Sequence, residues 1–216
     1  MNKILFMPYD PNNNSIVVTR MEYGDKGPEI MRKNFKVIEH ELSLGHAPIA
    51  VWYNGRKQPF VQSFTTGQIY IRGHGMPGFI SIEGGRGGER VHYEDVAKRL
   101  ISSGLPKSYQ GDIKCFICHS AESGKPGTDP EITDGQPFAK SLADYLYSKG
   151  YKACRYFGYL GSVDSFAKEG SAGKEYYVRT IENGKQVELG KASQACIEFH
   201  PTIEMRSFWQ RIAGWR

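Results

Sequence analysis

Two short apolar runs constrain this chain more than anything else in it. Ile69-Tyr70-Ile71-Arg72-Gly73-His74-Gly75 ends in His-Gly, and Ile113-Lys114-Cys115-Phe116-Ile117-Cys118 ends in a cysteine. Each is rich in β-branched or aromatic residues and of strand length, so each reads as a buried strand. In an open parallel sheet the carboxyl ends of the strands face the crevice where ligands bind. If the two strands are neighbours, His74 and Cys118 meet at that crevice. A thiol beside an imidazole is the minimum equipment of a cysteine nucleophile.

The rest of the chain alternates strand and helix. Lys3–Pro8 reads as a first strand, followed by the polar loop 10–14. A helix is expected from Pro28 to Leu44, with proline in its first turn and Gly45 after its end. Ile49–Tyr53 is the next strand, stopped by Asn54-Gly55. After the His74 strand, Phe79–Ile82 reads as a hairpin arm before the glycine-rich stretch 84–88. The pattern predicts helices over Tyr93–Ser103, with Val96, Leu100 and Ile101 on one face, and over Pro137–Lys149, then a strand over Tyr151–Tyr159. Alternating strands and helices imply a mainly parallel sheet covered on both faces.

Past Gly161 the pattern changes. Tyr176–Ile181 alternates and runs into Glu182-Asn183-Gly184, a hairpin signal. Gln186–Leu189 and Ala195–Phe199 read as its antiparallel partners, and Ile203–Ile212 as a closing helix. The expectation is one α/β domain over 1–216, with a core at 1–160 and a β-flap plus C-terminal helix at 161–216.

Composition narrows the function classes. At 216 residues the chain is long enough to bury a core without disulfides. The net charge of +5 is mild, and no zinc-finger, helix-turn-helix or RNA-binding signature accompanies it, so nucleic acid is not an expected partner. No apolar stretch reaches membrane-span length, and the N-terminus lacks a signal-peptide layout. The expected location is a reducing cytoplasm, the maker's own or one entered by a route without a cleaved leader. Cysteines at 115, 118, 154 and 196 do not form a metal pattern. Cys115 and Cys118 make a CxxC, but three apart on a strand they point to opposite faces, so Cys115 reads as a small buried hydrophobe, and Cys154 and Cys196 share that reading.

An apolar strand ending in His-Gly, an intervening helix, then an apolar strand ending in cysteine resembles the caspase-like cysteine peptidases: caspases, gingipains, legumains and the self-cleaving peptidase domains of bacterial toxins. The two residues stand 44 positions apart, similar to that family, and the order of elements over 1–159 also fits. The region after Gly161 is similar to the β-flap of the toxin domains. Caspases have Ala-Cys and toxin domains Gly-Cys where this chain has Ile117-Cys118, followed by His119-Ser120. The resemblance implies a three-layer caspase-like α/β fold with a C-terminal β-hairpin extension. It implies a cysteine endopeptidase of effector or toxin type, acting on a protein or peptide. Cys118 would attack the scissile carbonyl, His74 would serve the thiol or the leaving amine, and the backbone N–H groups of Gly75 and Cys118 would hold the oxyanion. No metal and no obligatory cofactor is implied. Inositol hexakisphosphate is implied as an activator, bound by the flap cations Lys168, Lys174, Arg179, Lys185 and Lys191. Asp164 is placed in a substrate pocket that would favour a basic side chain. The loop 121–136, longer than most ordered connections, is expected to border the groove and to be a candidate for processing.

Two other readings compete. His74-Gly75-Met76-Pro77-Gly78 resembles the oxyanion segment of α/β-hydrolases, and residues 118–122 loosely mimic a nucleophile elbow with Ser120 as nucleophile, Asp164 and His200 following in order. Against this, Cys118 and Glu122 stand where the elbow has glycines. The second alternative is an inactive pseudo-peptidase that binds a peptide or partner.

Overall fold

The computed structural model describes residues 3–9, 49–84, 89–163, 168–170, 173–183 and 185–202. The loop 10–14, the helix expected at Pro28–Leu44, Asp164 and the closing helix expected at Ile203–Ile212 lie outside the described residues.

The apolar runs do form the centre of the fold. A six-stranded sheet has the order β13-β7-β6-β3-β1-β2. Its members are β1 (Lys3–Met7), β2 (Ile49–Trp52), β3 (Gln68–Gly73), β6 (Asp112–Ile117), β7 (Arg155–Tyr159) and β13 (Cys196–Phe199). The first five are parallel, and β13 is antiparallel to β7. The inner strands are the most apolar because packed groups lie on both of their faces, whereas the edge strand β13 leaves Ile197 and Glu198 exposed.

The two faces differ. In register across the sheet, Phe6, Ile71 and Cys115 point to one side with Ile4, Ile69 and Ile113. All are at most 2 % exposed. They pack with Val61 of α1 (Pro59–Gln62), Val96 and Leu100 of α2 (Tyr93–Ser102), and Leu142 and Leu146 of α3 (Phe138–Ser148). The described helices therefore all lie on this face. The sequence dictates α2 plainly: His92 Nδ1 accepts from Glu94 N–H at its start, Glu94 and Asp95 fill its first turn, and Arg99 its last, as the helix dipole favours. The opposite face carries Tyr70, Phe116 and Tyr159, packed with Val163 of β8 (Ser162–Val163), Val178 of β11 (Tyr177–Glu182), Tyr176 just ahead of β11, and Ala192 in the turn that follows β12 (Lys185–Lys191).

The hairpin arm at Phe79–Ile82 is realised as β4 (Ser81–Glu83) paired with β5 (Arg90–His92). The flap is realised as β11 and β12, antiparallel, with β8 on the outer side of β11. Beside it, β9 (Lys168–Gly170) pairs with β10 (Gly173–Glu175). Two expectations need correction. Cys196–Phe199 does not extend the flap; it joins the central sheet as β13, so the 161–216 extension is not separate from the core. The seventh strand begins at Arg155, because Tyr151 and Cys154 cap the neighbouring loop instead, Tyr151 Oη donating to Leu105 O and the Cys154 thiol to Tyr109 O. The short helix α1 had no signal that sequence reasoning used. Among the described residues no helix is long and apolar enough to cross a membrane.

Candidate active site

Register brings His74 and Cys118 together. β3 pairs with β6 from Gln68↔Asp112 to Gly73↔Ile117, so the next residue on each strand is His74 on one and Cys118 on the other. Strand alternation puts 70, 72 and 74, and 114, 116 and 118, on the face opposite the helices. His74 is exposed, and its backbone is pinned by Glu83: His74 N–H donates to Glu83 O at 2.8 Å and accepts at its own carbonyl from Glu83 N–H at 2.9 Å. The chain then crosses β6 at close range. A Cβ on Gly75 would lie 2.6 Å from Ile117 Cγ2 and 2.8 Å from Cys118 O, so only glycine fits there without displacing the cysteine's backbone.

Cys118 is half-buried and its Sγ lies 3.8 Å from Val163 O; this, and not the His74 ring, is the group its thiol addresses. Burial pushes the thiol above its ordinary value, while the backbone at Val163, the Arg72 guanidinium and the Ser162 hydroxyl pull it back down. Cys115, on the helical face, is pushed up much further by burial and is inert. All four cysteines are free.

Arg72 was not singled out by sequence reasoning. Its guanidinium lies 4.6 Å from the centre of the Phe116 ring, close to Cys118, Tyr176 and Tyr159. Burial lowers its pKa, yet an arginine stays cationic there. Among the described residues no carboxylate pairs with it. It is the fixed positive charge of this rim.

A second group missed from sequence lies on the other side of the thiol. His119, directly after Cys118, has a left-handed backbone, φ 57°. Its Nε2 is 3.1 Å from Ser162 Oγ and its Nδ1 is 3.0 Å from Glu122 Oε1. Glu122 Oε1 also accepts from Gly161 N–H. The signal was faint because Ser162 is 43 positions from His119, and only the turn after β6 and the turn after β7 bring the three together.

The other sequence candidates fare differently. Ser120 is fully buried, its hydroxyl donating to Cys115 O at 2.7 Å and accepting from Tyr159 N–H at 2.9 Å. That is a structural hydroxyl. His200 follows β13, whose last residue Phe199 pairs with Tyr156 near the amino end of β7, the rim opposite Ser120. The Ser120–His200 arrangement is therefore not assembled, and Asp164 lies outside the described residues, so its pocket role has no geometry behind it.

The five flap cations lie on two strand pairs. Lys168 stands opposite Glu175, Lys174 opposite Glu169, Arg179 opposite Glu188 and Lys185 opposite Glu182, while Lys191 faces Tyr177. The loop 121–136 does border the site: Gly78 N–H donates to Glu122 O and Ile80 N–H to Glu131 O, tying the loop to the segment just after His74.

No protein-family model matches the chain, and no curated protein matches it. Among the described residues no cluster of three or more His, Cys, Asp and Glu side chains is arranged to hold a metal ion.

Proposed function

We propose that the chain is a cysteine peptidase with Cys118 as nucleophile and His74 as its partner. One observation carries the reading: the parallel β3–β6 register, which sets the two residues side by side at the carboxyl rim of the sheet with Gly75 packed against Cys118. In the reaction the thiolate adds to the peptide carbonyl and the oxyanion is held by backbone N–H groups at Gly75 and Cys118. His74 gives a proton to the departing amine, leaving a thioester that water hydrolyses. Catalytic hydrogen bonds are often long before substrate binds, so the lack of a Cys118–His74 bond does not count against the pair.

The parallel sheet, the order His then Cys and the flap beyond Gly161 support the likeness to caspase-like and toxin-type peptidases, and with it an effector acting in a reducing cytosol. Four free thiols suit that compartment. Activation by a polyphosphate draws no support from the cross-strand glutamates. A second reading, a pseudo-peptidase that binds a peptide without cutting it, is favoured by one observation: burial raises the Cys118 thiol.

A peptide-based thiol electrophile decides between them. Mass spectrometry is expected to find modification at Cys118, abolished in Cys118→Ala and slowed by about 10² or more in His74→Ala. Modification of Cys118 no faster than that of the half-buried Cys196 overturns the peptidase.

A further inference from the structure

We propose that Arg72 sets the substrate preference of this rim: its guanidinium receives the carboxylate of an acidic side chain, Asp or Glu, on the residue just before the scissile bond. The inference rests on Cys118 being the nucleophile and names the class of peptide it would cut.

The strand register places the cation. Arg72 pairs with Phe116, one pair below the Gly73↔Ile117 step that leads to His74 and Cys118. Alternation puts all four side chains on the face opposite the helices. Arg72 therefore lies below His74 as Phe116 lies below Cys118, about 6–7 Å down each strand. The guanidinium carbon stands 4.6 Å from the centre of the Phe116 ring. Tyr159 and Tyr176 meet the same ring edge-on, with ring centres 5.0 and 5.1 Å away. The surroundings of the cation are thus aromatic and supply no anion. Arg72 is half-buried, neither sealed in the core nor free in solvent. Its state is unusual in this chain. Arg90, Arg99 and Arg155 each meet a carboxylate, at Glu83, Glu89 and Asp112. Arg72 meets none among the described residues, although its charge is drawn further from water than that of the exposed Arg90 and Arg155.

A cation withdrawn from water without a counter-ion is costly, and a ligand that brings the anion removes the cost. Carboxylate is the anion a peptide carries. A guanidinium is a planar fork of N–H donors that binds it through two charge-assisted bonds. Position decides which carboxylate is received. The attacked carbonyl must lie at the sulfur of Cys118, at the strand end. The side chain on that same residue is the one placed to descend along the sheet face from Cys118 toward Phe116, where the cation waits. Discrimination comes from both directions. An acid pairs with the fork, an apolar side chain leaves it unpaired, and a lysine repels it. This is the reverse of the basic preference expected from Asp164, which lies outside the described residues. Arg72 passes no proton and stays cationic throughout.

The test is a set of peptide thiol electrophiles on the full chain, identical except for the residue before the reactive group: Glu, Asp, Gln, Leu or Lys. The readout is the ratio of Cys118 labelling rates. Arg72 also lowers the Cys118 thiol, so its replacement moves every rate, but a ratio between two probes cancels the thiolate fraction. The Glu and Asp probes are expected to label Cys118 about tenfold or more faster than the Gln probe, and the Lys probe slowest. Arg72→Gln is expected to bring the acidic probes down to the Gln level. Arg72→Lys, which keeps the charge but not the fork, is expected to retain part of the preference. Circular dichroism and melting show that each variant folds. Where Arg72→Gln does not fold, Arg72→Lys and the ratios of the parent chain still decide. Probes that label Cys118 without regard to charge, or an acidic preference that survives in folded Arg72→Gln, overturn this inference and leave the nucleophile standing. A set that leaves Cys118 unlabelled whatever the residue defeats the peptidase itself, and this inference with it.

Discussion

Replacing Ser120 by alanine separates the structural hydroxyl of this rim from its reacting groups. Ser120 is fully buried, and alanine deletes both of its bonds: the 2.7 Å donation to Cys115 O and the 2.9 Å acceptance from Tyr159 N–H. The first ties the turn back to β6 and the second ties it to β7. An unsatisfied buried group costs about 1–3 kcal/mol. Two such groups, less the desolvation of the hydroxyl that is no longer buried, give roughly 3 kcal/mol. In a chain of this size each kcal/mol lowers Tm by ~2–4 °C, so Ser120→Ala is expected to melt about 6–12 °C below the parent. Well below both transitions, labelling of Cys118 by the peptide electrophile should stay within about twofold of the parent, since the substitution leaves the reacting groups in place. The assay pairs thermal melting with labelling rate on the same samples. A melting point within about 1 °C of the parent, together with lost hydrolytic activity, would refute the structural assignment and return Ser120 to the role of nucleophile.

Other substitutions probe the same rim. Gly75→Ala forces a methyl against Ile117 and the Cys118 carbonyl; a loss of about 1–3 kcal/mol in melting and slower Cys118 labelling are expected, and a variant normal in both shows that the strands do not approach so closely. Arg72→Met removes the cation that lowers the Cys118 thiol, so the midpoint of its alkylation profile should move up; a downward move contradicts the electrostatic account. Burial raises every cysteine, Cys154 from 9.0 to about 11, and raises Tyr109, Tyr151, Tyr156 and Tyr159 as well. The folded chain thus keeps protons that the unfolded chain gives up. Their stabilising contribution is full below the unfolded values, ~8.5 for cysteine and ~10 for tyrosine, and is lost as pH rises through the folded values, so melts should show Tm falling above about pH 9. Inositol hexakisphosphate should leave Tm unchanged at physiological salt because four of the five flap cations stand opposite glutamates; a saturable upward shift at low concentration shows that they gather after all.

The strands bearing His74 and Cys118 were legible because burial on both faces demands an unbroken apolar run, and that demand is written locally. The α2 helix was legible for the same reason, its stripe of Val96 and Leu100 meeting the helical face. What the sequence hid is contact between distant turns. His119 and Glu122 are close in the chain, but their meaning comes from Ser162. Local pattern also identified Ala195–Phe199 as a strand without saying which edge it would join: an alternating strand fits the flap and the central sheet equally well, and its pairing with β7 is a tertiary choice. Lys168, Lys174, Arg179 and Lys185 read as a basic stretch along the chain, and that each stands opposite a glutamate in register is visible only once the strands are paired.

The rim poses an energetic question that the fold alone does not answer. A guanidinium held among Phe116, Tyr159 and Tyr176 with no carboxylate bonded to it among the described residues is costly to bury. A core that only needed filling would place a neutral side chain at position 72, as it does at Ile69 and Ile71 on the other face. The cation opposes the one force that would silence Cys118. Burial favours the neutral thiol; Arg72 and the Ser162 hydroxyl favour the thiolate. The half-buried Cys118 thiol is pulled back toward its ordinary value by the cation and the hydroxyl, whereas the fully buried Cys115, with no cation beside it, is pushed up much further. The contrast between two cysteines three residues apart, on opposite faces of one strand, is the physical reason to look for chemistry at Cys118 and not at its neighbour.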